Sequence, residues 1–189
     1  KDGLISENTV ESQDRMDLLV ITGIGKVKST LCVSYLINLF NIKEIINIGL
    51  CGSLSDEFKR GNILRVNKVH QHDFYLPEEI SSQKDKGINI DISYKITSNE
   101  TKADFKNVVL CSGDQFIEDS DEKDLFVREY GAHIVDMEGY SIASCAKVFG
   151  INLRMYKIIS DNADGFAVDD FSNAISKYND SLKFLMTKI

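Results

Sequence analysis

The segment Asn152–Ile159 constrains the fold of this chain more than any other. It is dominated by Leu153, Met155, Tyr156, Ile158 and Ile159, and it stops abruptly at the polar Ser160-Asp161-Asn162. An apolar, β-branched-rich run of that length reads as a buried strand. Upstream, a second apolar strand ends in Val135-Asp136-Met137-Glu138-Gly139. Each strand end delivers an acid beside a small or polar residue, and open α/β sheets bind ligands at such ends.

The rest of the chain alternates strands with helices. Met16–Thr22 reads as a strand broken by Gly23 and Gly25, Lys26–Phe40 as an apolar helix and Glu44–Gly49 as a buried strand, which together make a β-α-β unit. Further strands are expected at Asn62–Val69, Asn107–Ser112 and His133–Met137. Pro77–Lys106 is polar and weakly patterned, with a short strand candidate at Ile90–Ile96. Asp119-Ser120-Asp121-Glu122 opens a helix with acids in its first turn, where they complement the macrodipole. Tyr140–Phe149 is a buried helix closed by Gly150, and Phe171, Ala174, Ile175, Tyr178, Leu182 and Leu185 mark one face of a final helix from Asp169.

With 189 residues and 43% hydrophobic content, one domain with a sizeable core is expected over residues 1–189. A net charge of -7 argues against a nucleic-acid partner, which would want a basic stripe. No stretch reaches the roughly 18 apolar residues of a membrane span, and the start lacks the apolar core of a signal peptide, so the expected setting is cytoplasmic. Cys32, Cys51, Cys111 and Cys145 show neither a C-x-x-C pair nor metal-ligand spacing and read as reduced core thiols. His70-x-His72-Asp73 lacks further clustered ligands, which favours a solvent-facing or dimer-contact role over a metal.

Thr22-Gly23-Ile24-Gly25-Lys26, Cys111–Ile117, Val135–Gly139 and Lys157–Asp164 occur in an order that resembles the nucleoside phosphorylase and nucleosidase superfamily. The nearest resemblance is to the methylthioadenosine/adenosylhomocysteine nucleosidases, from about Asp17 onward with a shortened middle near Phe74–Asp104. It implies a three-layer-like α/β domain, a central mixed, twisted sheet flanked by helices, a homodimer, and no metal or organic cofactor. The implied reaction is hydrolysis of a purine nucleoside, foremost a 5′-modified adenosine, to free base and pentose.

By the same resemblance Asp161 protonates the departing purine at N7, Ser160 orients it, Glu138 grips the ribose hydroxyls and Met137 packs against the sugar. Phe116 stacks on the base, the Ile117 backbone bonds its edge, and Ile24 and Gly52 lie where backbone approaches the ligand. General-acid help of this kind is worth on the order of 10²–10⁴ in rate. Each residue also has a plainer reading: Ser160-Asp161 as a turn cap, Glu138 as a first-turn helix acid and Phe116 as core.

Two departures bear on the chemistry. Phosphorylases of the superfamily carry an Arg and a hydroxyl residue where this chain has Asn47 and Leu50, which favours water over phosphate as nucleophile. The family's first strand and the acidic cluster whose Glu activates water have no counterpart in residues 1–16, where Glu7 and Glu11 are the glutamates. The expectation is that the sequence begins downstream of that strand; a replacement base or lost turnover are the alternatives. A phosphorylase, a nucleosidase for another base such as futalosine's, and a non-catalytic nucleoside-binding protein are the rival functions.

Overall fold

The computed structural model describes residues 10–12, 15–74, 89–92 and 105–187. Its organising strand is β8 (Asn152–Asp161), for which the labels β1 to β7 run upstream in chain order. β8 lies parallel to β3 (Glu44–Ser53), from Glu44↔Asn152 to Gly52↔Asp161. β4 (Ile63–Gln71) also pairs with it, antiparallel from Ile63↔Ile158 to Arg65↔Tyr156. Every residue of β8 after Asn152 is buried, including the polar Arg154, Lys157, Ser160 and Asp161, each of which has a hydrogen-bond or ion-pair partner.

β6 (Asn107–Ser112) runs parallel to both β4 and β7 (Ile134–Asp136), and β7 meets the end of β3 antiparallel at Gly52↔Val135. β5 (Asn89–Asp91) pairs with β4 at Lys68–His70. The sheet is mixed, and the β4–β8 pairing closes β4, β6, β7, β3 and β8 into a ring where the sequence suggested an open sheet. Closure hydrogen-bonds strand edges that an open sheet leaves free.

Helices cover the strands. α3 (Gly139–Phe149) is the central one, touching β3, β4, β5, β6 and β8, and α1 (Lys26–Leu39) packs on it. α2 (Ser120–Tyr130) lies on β6 and α4 (Ala167–Met186) on β8. The Asp119 carboxylate accepts the Asp121 amide and so starts α2, while Gly131 and Gly150 end α2 and α3 in the left-handed conformation. Val66, Leu110, Ile134 and Met155, fully buried, form the middle of the core. Among the described residues no helix is long and apolar enough to cross a membrane. The four thiols are unpaired, three of them buried.

One expected element is different. Met16–Thr22 is not a strand of the main sheet: among the described residues β2 (Arg15–Asp17) pairs only with β1 (Val10–Ser12), and Leu18–Thr22 has no strand partner. The β-α-β unit therefore lacks its first strand. β-branched residues favour a strand only where a neighbouring backbone supplies hydrogen bonds, and here Leu19 and Ile21 stay 57% and 73% exposed. The strand expected at Ile90–Ile96 is realised as β5, and residues 93–96, Glu7 and most of Pro77–Lys106 lie outside the described residues.

Gly150 offers a clean test of the helix end. It sits at φ 66°, and an added Cβ would meet nothing within 4 Å. Gly150→Ala should therefore cost only backbone strain, about 1–2 kcal/mol by urea unfolding; an unchanged midpoint would contradict the left-handed cap.

Candidate active site

A cavity of about 330 Å³ opens where the C-terminal parts of β3 and β8 meet β7, which crosses the end of β3 antiparallel. Ile24, Gly52, Phe116, Ile117, Met137, Glu138, Ser160 and Asp161 all line it. Leu50, Gln115, Val135 and Phe171 also line it, none of them among the site residues expected from the sequence. Phe171 comes from α4 and meets Phe116 edge to face, with ring centroids 5.9 Å apart. Only periodicity pointed to Phe171, and periodicity assigned it to packing.

The β3–β8 register slips where Cys51 pairs with Ile159 and Gly52 with Asp161, so Ser160 is the extra residue of a bulge. A bulge re-aims side chains beside active sites. The Ser160 hydroxyl lies 2.7 Å from Asp161 Oδ2 and 3.1 Å from the Cys51 carbonyl. Asp161 Oδ1 accepts the Ala163 amide at 2.9 Å. The turn-cap reading thus holds for one oxygen of Asp161, while the carboxyl as a whole still faces the cavity. Burial raises the Asp161 pKa, and the bonds from Ser160 and Ala163 pull against it. An added Cβ on Gly52 would stand 2.8 Å from Asp161 Oδ1, so only glycine lets β3 pass this close.

Glu138 stands at the N-cap of α3 but makes no capping bond. The acid that caps α3 is Asp136, whose two oxygens accept the Gly139 amide at 3.1 Å. Glu138 reaches instead across the cavity rim, where Oε1 accepts the Gly25 amide at 2.7 Å, at the start of α1. Burial raises its pKa, the Asp136 charge adds to the rise, and the Gly25 amide and Lys157 oppose it.

Lys157 is the residue whose environment the sequence did not disclose. It is 1% exposed, and its ammonium sits 2.6 Å from Asp136 Oδ2. Burial lowers its pKa, but the Asp136 charge and hydrogen bond reverse that, and the net direction is upward. No Lys or Arg lines the cavity among the described residues. Asn47, at the position where phosphorylases hold Arg, has a buried Oδ1 with no partner among the described residues.

His70 is buried and His72 partly buried against α2, which corrects the solvent-facing expectation. His72 packs on Phe126 at 4.5 Å and His70 on Tyr130 at 5.3 Å, because β4 runs under α2. Among the described residues no cluster of His, Cys, Asp or Glu could hold a metal. A second hollow near Phe40 and Phe149 lies by the start of β3 and β8 and has no acid in its lining.

A family model for the phosphorylase superfamily matches residues 12–185, so the chain belongs to that superfamily. Within it, the chain is 31% identical over 183 residues to an aminodeoxyfutalosine nucleosidase of Helicobacter pylori, covering 91% of this chain and 79% of that protein. It is 31% identical to a 5′-methylthioadenosine/S-adenosylhomocysteine nucleosidase of Buchnera aphidicola, covering 84% and 67%. The structure of a Helicobacter pylori 5′-methylthioadenosine/S-adenosylhomocysteine nucleosidase with butyl-thio-DADMe-Immucillin-A superposes with a TM-score of 0.85 at 29% identity, over 95% of this chain and 82% of that one.

The buried pair gives the site's stability test. Lys157→Met leaves Asp136 charged and unpaired, and should cost about 3–5 kcal/mol by urea unfolding. Adding Asp136→Asn to that variant should recover part of the loss. A single variant within 1 kcal/mol of wild type, on the order of a surface pair, would show that the pair is not buried in solution.

Proposed function

We propose that the protein hydrolyses the N-glycosidic bond of a purine nucleoside, foremost a 5′-modified adenosine, releasing free base and pentose. The observation that carries this reading is that the carboxyls of Asp161 and Glu138 share one cavity with the Phe116 ring. Phe116 and Ile117 hold the base and Met137 the sugar, with Ile24 and Gly52 at the ligand's backbone contacts. Glu138 accepts the ribose hydroxyls and, as an anion, favours the positive charge that builds on the ring as the bond lengthens. Asp161 gives its proton to N7 as electrons move into the purine, Ser160 fixes its orientation, and the C1′–N9 bond breaks. Water then forms the new bond to C1′ and loses a proton.

The family resemblance supports a Glu as the base for that water; among the described residues the acids that line the cavity are Asp136, Glu138 and Asp161. The uncharged side chains of Asn47 and Leu50 favour water over phosphate, which would need fixed positive charge. The reading includes a homodimer, supported by Val27, Leu31, Tyr35 and Leu39, which stand at helical spacing on α1 and are 55% to 66% exposed. Unpaired buried thiols fit a reducing, cytoplasmic setting.

Free base released from methylthioadenosine, adenosylhomocysteine, aminodeoxyfutalosine and inosine, with and without phosphate, tests the reaction. Release independent of phosphate is expected, and strict phosphate dependence would overturn the hydrolytic reading. Asp161→Asn should lower kcat by about 10²–10⁴, the range of a lost general acid.

The pH profile follows from the two raised pKa values. Asp161 must hold its proton and Glu138 must have lost one, so kcat/KM should fall on the acid side as Glu138 protonates and on the alkaline side as Asp161 ionises. Glu138→Gln should remove the acid limb from the residual activity. Persistence of that limb would assign it elsewhere.

A further inference from the structure

Asp73 lies just beyond β4, outside the cavity lining, yet three chain segments meet on its carboxylate. Both of its oxygens stand 2.6 Å from Lys26 Nζ. Oδ2 also accepts the Asp114 amide at 2.8 Å, and Oδ1 accepts Gln71 Nε2 at 3.0 Å. Asp114 in turn accepts the Lys26 amide through Oδ1 at 2.7 Å. Lys26 is therefore held at both ends, its backbone by Asp114 and its ammonium by Asp73.

The neighbours of these anchors are the groups that meet the ligand. One residue before Lys26, the Gly25 amide donates to Glu138. Two residues after Asp114 comes Phe116, which lines the opposite wall. The packing leaves no slack: an added Cβ on Gly113 would stand 2.6 Å from the His72 ring and 2.8 Å from Asp73 Cγ, and one on Gly25 would stand 3.0 Å from Asp114 Oδ1. The Lys26 and Asp73 side chains are 19% and 22% exposed at the rim, and three donors on the Asp73 carboxylate fix the geometry of their contact. Burial alone would raise the Asp73 pKa, but Lys26, the Asp114 amide and Gln71 hold it down at about 2, and it stays ionised.

We propose that Asp73 is a positioning residue, which through Lys26 and Asp114 sets the start of α1, and with it Glu138, at a fixed distance from the Phe116 wall. The inference rests on the nucleoside reading of the cavity. What it adds is the source of the alignment between the sugar-binding carboxylate and the base-binding ring. Gly25 has no side chain of its own to hold the α1 amide in place, so the clip on the next residue does so. Two carboxylates on successive amides of one helix start also repel each other, and the Lys26 ammonium offsets that repulsion.

The test reads the Glu138 contact itself, without turnover. A C-nucleoside of adenine joins base to ribose by a carbon–carbon bond and cannot be hydrolysed. Calorimetric affinities for this compound and its 3′-deoxy form report how well the carboxylate meets the ribose hydroxyls. Wild type should prefer the hydroxylated form by about 10- to 100-fold, the scale of one hydrogen bond to a charged group. Asp73→Asn and Lys26→Met should each reduce that preference to about threefold or less, with circular dichroism unchanged, and Asp73→Glu should restore part of it. A folded variant of either position that keeps the full preference overturns the clip alone. Wild type that binds neither compound overturns both the clip and the nucleoside reading.

Discussion

The contact between Lys157 and Asp136 is the interaction on which the arrangement of the site depends. Both side chains are 1% exposed, and removing two such charges from water costs several kcal/mol for each. Coulomb attraction at 2.6 Å offsets that cost only because Asp136 also satisfies the Gly139 amide. The pair thereby ties the middle of β8 to the end of β7 and to the start of α3. Gly49, opposite Lys157 in the β3–β8 register, makes room for it: an added Cβ there would stand 3.1 Å from Nζ. The consequence for chemistry is that burial and the Asp136 charge both raise the Glu138 pKa, while the Gly25 amide and the Lys157 ammonium that pairs with Asp136 oppose them.

The same ring closure that buries this pair explains how Asp161 is presented. A regular strand would send Ser160 and Asp161 to opposite faces. The bulge breaks the alternation, keeps Ser160 bonded to β3 and leaves Asp161 against the cavity. Ala163 then adopts a left-handed φ of 49°, unusual for a residue with a side chain, and its amide closes onto Asp161. Strain of this kind, of order 1–3 kcal/mol, persists where surrounding contacts over-determine it. Ala163 is fully buried in the second core cluster with Ile117 and Val135, which supplies those contacts.

How much of this was legible depended on whether the determinant was local. β6, β7, α2 and α3 could be placed from their own residues, because Asp119, Gly131 and Gly150 are caps whose effect is confined to one turn. Of the eight residues singled out for the site, Gly52, Ser160 and Asp161 lie in the last residues of the parallel strands β3 and β8, and Met137 and Glu138 directly follow β7. Phe116, Ile117 and Ile24 reach the cavity from loops. The closed ring was not legible, since nothing in Ile63–Arg65 announces a second partner for β8. Nor was the lost strand at Leu18–Thr22, whose β-branched residues read correctly as strand-like but found no neighbour. Lys157 and Asp136 lay inside motifs already noted, yet their mutual contact depends on the β3–β7 and β3–β8 registers, information that no single segment carries.

The choice between water and phosphate turns on charge balance in the cavity. A bound phosphate dianion in a largely apolar site needs fixed cations and donors, and the desolvation cost without them is prohibitive. The basic residues nearest the site are already committed: Lys157 to Asp136 within the core and Lys26 to Asp73 at the rim. Releasing either would leave a carboxylate unpaired, so neither is a free phosphate ligand at low cost. With Asp136 paired to Lys157 and Asp161 holding its proton, Glu138 is the uncompensated anion of the cavity, and no Lys or Arg lines it among the described residues. That balance suits a developing cation on the sugar and a neutral nucleophile, and it repels an anionic one.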